Sequence, residues 1–101
     1  QVLGGKAVKT APVYDAHDRV IGYLVRSPAT GADVCFYADS WTFNGDMEKP
    51  TFSPSMVVKA DPAGRFVKEH FFVRDGKVEY LADCDHELAG KTVDMVDISD
   101  T

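Results

Sequence analysis

From residue 20 onward the apolar positions follow strand periodicity. Residues 20–25 read VIGYLV and residues 34–37 read VCFY, and between them Ser27-Pro28-Ala29-Thr30-Gly31 forms a turn cluster, so the pattern predicts a hairpin. Trp41-Thr42-Phe43 reads as a short third strand, followed by Asn44-Gly45, a turn dipeptide because both residues tolerate positive φ. Pro50 and Pro54 bracket Thr51-Phe52-Ser53 and remove two backbone donors, so this stretch reads as a sheet edge or an irregular loop until the strand resumes at Met56-Val57-Val58. Asp61-Pro62-Ala63-Gly64 is another turn.

A second hairpin fixes a register. Asp75-Gly76 suits a two-residue type I′ turn, which pairs Arg74 with Lys77, Phe71 with Tyr80 and Val73 with Val78. Val67, Ala82 and Cys84 then join the same apolar face, while Lys68, His70, Phe72, Glu79, Leu81 and Asp83 share the other. In that register Asp83 lies diagonally across from His70, within reach for a carboxylate to orient an imidazole. A three-residue turn would shift the pairing by one and bring His70 onto the face of Cys84 and His86. One or two helical turns are expected near residues 86–89, closed by Gly90, and the acidic end from Asp94 to Asp100 reads as a fraying edge. The fold class that follows is mostly β, a small α+β protein at most: a compact antiparallel sheet or sandwich of hairpins with no more than one short helix near the C-terminus.

Composition narrows the field further. A length of 101 residues suits one domain, with a leader over residues 1–10 and a core over about 12–98. A net charge of -5 leaves no basic footprint for nucleic acid, and no apolar run approaches the ~20 residues that cross a bilayer. With only Cys35 and Cys84 as thiols there is no disulfide framework, which points to a reducing, cytoplasmic setting. The chain starts at Gln1, as expected of a processed product or a fragment, and Leu3-Gly4-Gly5 is similar to the Gly-Gly tail of ubiquitin-like proteins, or is a plain flexible leader.

Two chemistries compete for the polar residues. In the acid-base reading Ser55 is the candidate nucleophile, with Ser53 in reserve, His70 is its base and Asp83 the orienter, because a hydroxyl attacks well only when a neighbouring base of fixed tautomer removes its proton. Backbone amides around Asn44-Gly45 are candidates for an oxyanion hole, although no Gly-x-Ser-x-Gly elbow is present. In the metal reading His70, Cys84 and His86 hold zinc, with Glu69 as base or further ligand, yet Cys-x-x-Cys and His-Glu-x-x-His motifs are both missing. The plain alternatives are turn serines, a buried structural Cys84, and a solvated Glu69. His17 reads as a surface residue, and Trp41, Phe43, Phe52 and Phe72 read as core.

Trp41, Phe43, Asn44, Gly45, the run Pro50-Thr51-Phe52-Ser53-Pro54-Ser55, His70-Phe71, Asp75-Gly76, Asp83-Cys84, His86, Leu88-Ala89-Gly90 and Thr92-Val93 occur in this order. At these positions the chain resembles a family of small phage and bacterial proteins, often mislabelled as ammonia monooxygenases, that includes the peptidase component of bacterial ubiquitination-like (Bub) operons. Relatives commonly carry cysteine where this chain has Glu69, which weakens a zinc site here. The resemblance implies a peptidase that matures a ubiquitin-like protein with a Gly-containing C-terminal tail or releases it from conjugates. In the mechanism expected here Ser55 attacks the carbonyl after the substrate's terminal residue, His70 shuttles the proton, Asp83 orients His70, and His86 supports the site or polarises the carbonyl, with no cofactor. Two alternatives stay open: the zinc hydrolase, and a non-catalytic phage or defence module that binds a protein through the edge around Pro50 to Ser55.

Overall fold

The computed structural model describes residues 8–60 and 66–98. Among the described residues eight strands form two antiparallel sheets. β1 (Ala11–Tyr14), β2 (Val20–Arg26) and β3 (Asp33–Tyr37) make a three-stranded sheet in sequence order, and β4 (Thr42–Phe43), β5 (Phe52–Ala60), β6 (Val67–Arg74), β7 (Lys77–Tyr80) and β8 (Thr92–Asp94) make a five-stranded one, also in sequence order. Every strand pair is antiparallel because each connection is short enough only for a return.

The core is the interface between the two sheets. Val25, Val34 and Phe36 contribute from one side, and Phe52, Met56, Phe71, Val73, Val78 and Tyr80 from the other, with Met95 closing the end. Phe36 stacks on Phe52 with ring centroids 4.5 Å apart and meets the edge of Trp41 at 5.6 Å. Such aromatic contacts bring large apolar area together in fixed geometry. Trp41, Phe43 and Phe52 therefore belong to or border the core as expected, but Phe72 does not: it is on the outer face, half-buried beneath the Arg74 guanidinium at 4.0 Å.

Both hairpins follow the sequence pattern. β2 and β3 pair around a turn in which the Ser27 amide donates to the Ala32 carbonyl, and β6 and β7 pair Arg74 with Lys77, Phe71 with Tyr80 and Val73 with Val78. Asp75 and Gly76 take φ of 50° and 75°, the left-handed values that a type I′ turn requires.

Elsewhere the structure departs from expectation. β1 was not foreseen, and it holds Pro12 without loss because it lies at a sheet edge. The stretch expected to be a sheet edge or an irregular loop until Met56 is already strand from Phe52, with a register shift between Phe52 and Met56 and a cis Ser53–Pro54 peptide bond. The short helix expected at residues 86–89 is a pair of turns, in which Ala89 donates to the His86 carbonyl and Lys91 to that of Leu88, and the described residues contain no helix. Ala82, expected on the apolar face, is exposed because the β7 ladder ends at Tyr80.

Of the expected leader, residues 1–7 lie outside the described residues, Leu3-Gly4-Gly5 among them. Thr10 is fully buried and donates its hydroxyl to the Leu24 carbonyl. No described helix is long and apolar enough to cross a membrane.

Candidate active site

β6 presents its side chains alternately to two environments, and this divides the candidate residues into two groups. Lys68, His70 and Phe72 face outward, while Glu69, Phe71 and Val73 face the core.

On the outer face Ser55, His70 and Asp83 come together. Ser55 precedes the point where β5 regains its register with β6, and Val57 pairs with His70, so Ser55 is a diagonal neighbour of the imidazole. Its Oγ is 3.4 Å from His70 Nε2. The other ring nitrogen, Nδ1, faces Asp83 at 3.2 Å and 3.1 Å from its two carboxylate oxygens. A serine hydroxyl at Nε2 and a carboxylate at Nδ1 is the arrangement that lets an imidazole accept a proton on one side while its tautomer is held on the other. The Ser55 contact is at the long end for a hydrogen bond, as such contacts often are before substrate closes them.

The backbone explains why Asp83 reaches this position. After Tyr80 the chain stays alongside β6: the Leu81 amide donates to the His70 carbonyl at 2.9 Å, the Asp85 amide donates to the Lys68 carbonyl at 3.0 Å, and the Lys68 amide donates to the Asp85 carboxylate at 3.2 Å. Between these ties the His70 amide donates to Cys84 Sγ at 3.3 Å, and the thiol faces the His70 carbonyl at the same distance. Cys84 thus pins the backbone of the residue whose ring faces both Ser55 and Asp83.

Lys68 completes the outer group and is the participant that the sequence reading missed. Its Nζ is 2.9 Å from Asp83 Oδ2, the oxygen that also faces His70. The hydrogen bond and charge of Lys68, followed by those of His70, hold the Asp83 carboxyl below the usual carboxylate range, while Asp83 raises Lys68. The carboxylate therefore stays ionised opposite the imidazole. On the Ser55 side, the Trp41 indole donates to the Ser55 carbonyl at 3.4 Å. Asn44, weighed for an oxyanion hole, has its amide engaged with the Thr51 carbonyl at 3.1 Å, while its side chain organises the loop between β4 and β5.

The second group lies on the core face. Glu69, expected in solvent, is fully buried. Its Oε1 accepts from Ser27 Oγ at 2.5 Å and its Oε2 from Thr30 Oγ1 at 3.0 Å, while the Ser27 oxygen also meets the Tyr80 hydroxyl at 2.7 Å. Burial pushes the Tyr80 hydroxyl up to about 12. His86 sits here and not beside Ser55. Its ring packs edge-on to Tyr80 with centroids 4.5 Å apart, and its Nε2 is 3.5 Å from Glu69 Oε1 without a hydrogen-bond partner. The support expected from His86 at the Ser55 site is thus replaced by a contact across the sheet. The register already placed Glu69 between Val67 and Phe71 on the apolar face, and that was the available signal for its burial.

The same division bears on the zinc set. His70 and His86 point to opposite faces of β6, Cys84 Sγ is bonded to the His70 backbone, and among the described residues no three His, Cys, Asp or Glu side chains are grouped to hold a metal ion. The donor arrangement does not fit zinc.

Comparison with known families bears on the outer group. The model of the BubE family, described as the bacterial ubiquitination-like system serine protease, matches residues 34–81. Over this stretch, somewhat less than half of the chain, the sequence is similar to that family. The BubE match runs from β3 to just past β7, so it contains Ser55, Lys68, Glu69 and His70 and stops short of Asp83, Cys84 and His86. No curated protein and no solved structure matches the chain. A serine protease description agrees in kind with a serine hydroxyl facing an imidazole on the outer sheet face.

Proposed function

We propose that this chain is a serine peptidase that cuts at the C-terminal tail of a ubiquitin-like protein, either to mature a precursor or to release a conjugate. The observation that carries this reading is the hydrogen-bonded run from Ser55 Oγ through both nitrogens of His70 to Asp83, of which Ser55 and His70 lie on a stretch similar to a serine protease family of a bacterial ubiquitination-like system.

In the proposed reaction Ser55 Oγ bonds to the carbonyl carbon of the substrate's last tail residue as its proton passes to His70 Nε2. Asp83 holds the Nδ1 proton and stabilises the imidazolium. The C–N bond then breaks, His70 returns the proton to the departing amine, and the acyl group stays on Ser55. A water molecule attacks the acyl-enzyme with His70 again taking a proton, which frees the tail carboxylate and restores the hydroxyl. These side chains and water balance every step.

The test is cleavage of the precursor of the ubiquitin-like protein from the same bacterial system, followed by intact mass. Ser55→Ala is expected to retain the fold and lose turnover, and His70→Ala to lower kcat/KM by about 10²–10⁴-fold. Undiminished shortening by folded Ser55→Ala protein would overturn the reading.

A further inference from the structure

The backbone of β5 ends its pairing unevenly. On one side β6 accompanies it from Met56 to Ala60, and on the other β4 reaches only Phe52 and Ser53. Beyond Ser55, the second edge of β5 has no strand beside it among the described residues.

The direction of the outward groups follows from the far side of β6. The amide and carbonyl of His70 both engage residues 81–84, and those of Lys68 both engage Asp85. In an antiparallel ladder a residue points its N–H and C=O to one side only, so the pairs Val57–His70 and Lys59–Lys68 exchange no hydrogen bonds across β5 and β6. The amides and carbonyls of Val57 and Lys59 therefore point to the open edge. Ser55 lies in the irregular stretch just before Met56, and its carbonyl accepts from the Trp41 indole. The edge thus offers two donor and acceptor pairs in line and is capped by an aromatic side chain beside the candidate nucleophile.

Alongside this edge lies a cleft of about 490 Å³ between β3 and β5, lined chiefly by Val34, Tyr37, Trp41, Met56 and Val58. Met56 and Val58 belong to the face opposite Val57. An added strand would therefore drop alternate side chains into the cleft.

Resting on the reading of Ser55 as nucleophile, we propose that the open edge of β5 binds the substrate's tail as an added antiparallel strand. The tail runs from Lys59 toward Ser55, so its C-terminal end arrives at the hydroxyl where β4 and Trp41 close the edge. Counting back from the residue opposite Ser55, the third tail residue exchanges two backbone bonds with Val57, and the fourth sits opposite Val58 with its side chain in the apolar cleft. Backbone pairing of this kind recognises an extended segment without needing large side chains along its length, and the cleft adds a preference for an apolar fourth residue. The occupant is thus a flexible C-terminal tail of a ubiquitin-like protein, and a folded surface would not reach the edge groups.

Two measurements test this. Val57→Pro removes an amide hydrogen that the β5–β6 ladder does not use, a placement proline tolerates on an edge strand. It is expected to raise KM for the precursor about tenfold, the scale of one lost backbone bond. In parallel, amide hydrogen exchange on the Ser55→Ala chain mixed with the precursor is expected to slow at Val57 and Lys59. An unchanged KM in folded Val57→Pro protein, absence of binding, or protection only at other amides would overturn the docking site. If Ser55→Ala still cut the precursor, the catalytic reading would fail while the exchange pattern at Val57 and Lys59 decided the docking site by itself.

Discussion

Lys68 and His70 converge on one carboxylate: Asp83 Oδ2 is 2.9 Å from the Lys68 ammonium and 3.1 Å from His70 Nδ1. Asp83 is held below its usual range by Lys68 first and His70 second. A carboxyl whose folded pKa is depressed keeps its contacts above its unfolded value of about 3.9 and loses them as pH falls through the lower folded value. Lys68→Met should therefore move the Asp83 midpoint upward, so that the contact with His70 is lost at a higher pH. Carbon-detected titration of the Asp83 carboxyl reads this directly, and an unmoved midpoint would remove Lys68 from the site.

Glu69 should matter for the fold and not for proton transfer. Its carboxylate is fully buried and accepts the hydroxyls of Ser27 and Thr30, which tie the β2–β3 turn to β6. Glu69→Ala leaves both hydroxyls without their acceptor and opens a void, a loss of about 2–3 kcal/mol. The urea midpoint should fall by about 2 M for a domain of this size, and a variant as stable as the parent would show that the network contributes nothing.

Gly22 has no room for a side chain. A Cβ there would lie 2.7 Å from the Phe36 carbonyl oxygen and 2.8 Å from Cys35 Sγ, because β2 and β3 approach closely at this point. Cys35 has a rotatable side chain, but the Phe36 oxygen belongs to the ladder and cannot move alone. Gly22→Ala should cost about 1–3 kcal/mol. Thermal unfolding would show the loss, and an unchanged midpoint would mean that the two strands separate at little cost.

Gly76 is constrained by conformation as well as by space. Its φ of 75° suits glycine, and a Cβ would meet the Lys49 Cα at 3.2 Å, while its amide donates to the Pro50 carbonyl and the Asp75 amide to Thr51 Oγ1. This turn therefore also fastens the segment that leads to Ser55. Gly76→Ala should destabilise by about 1–2 kcal/mol, and Gly76→Asn by less because asparagine visits this region more readily. Equal losses in the two variants, measured by denaturant unfolding, would contradict a conformational cause.

Local signals carried a large part of this structure. Asp75-Gly76 specified the β6–β7 register, and alternation from that turn placed His70 on the outer face, because a side-chain period of two leaves little freedom once the turn is set. Beyond Tyr80, where the ladder stops and turns take over, the same alternation still put Asp83 on the face of His70 and Cys84 toward the core, but it misplaced Ala82, whose exposure depends on turns that the period does not encode. β1 and β8 are short strands recruited by their neighbours, and strands of 4 and 3 residues leave too little periodicity to read. The burial of Glu69 was visible as an odd-numbered position on an apolar face, but its partners Ser27 and Thr30 are about 40 residues away and only tertiary structure joins them. The role of Lys68 was hidden for a similar reason: it depends on Asp83 lying between two cationic groups.

If Ser55 is the hydroxyl that His70 activates, covalent capture will show it. The folded chain should be treated with a fluorophosphonate, which bonds to a serine whose proton a neighbouring base removes, and then mapped by peptide mass. One adduct is expected on Ser55, absent from His70→Ala protein. A chain that takes no adduct, or takes it at Ser53 or Ser27 and keeps it after His70→Ala, would contradict it.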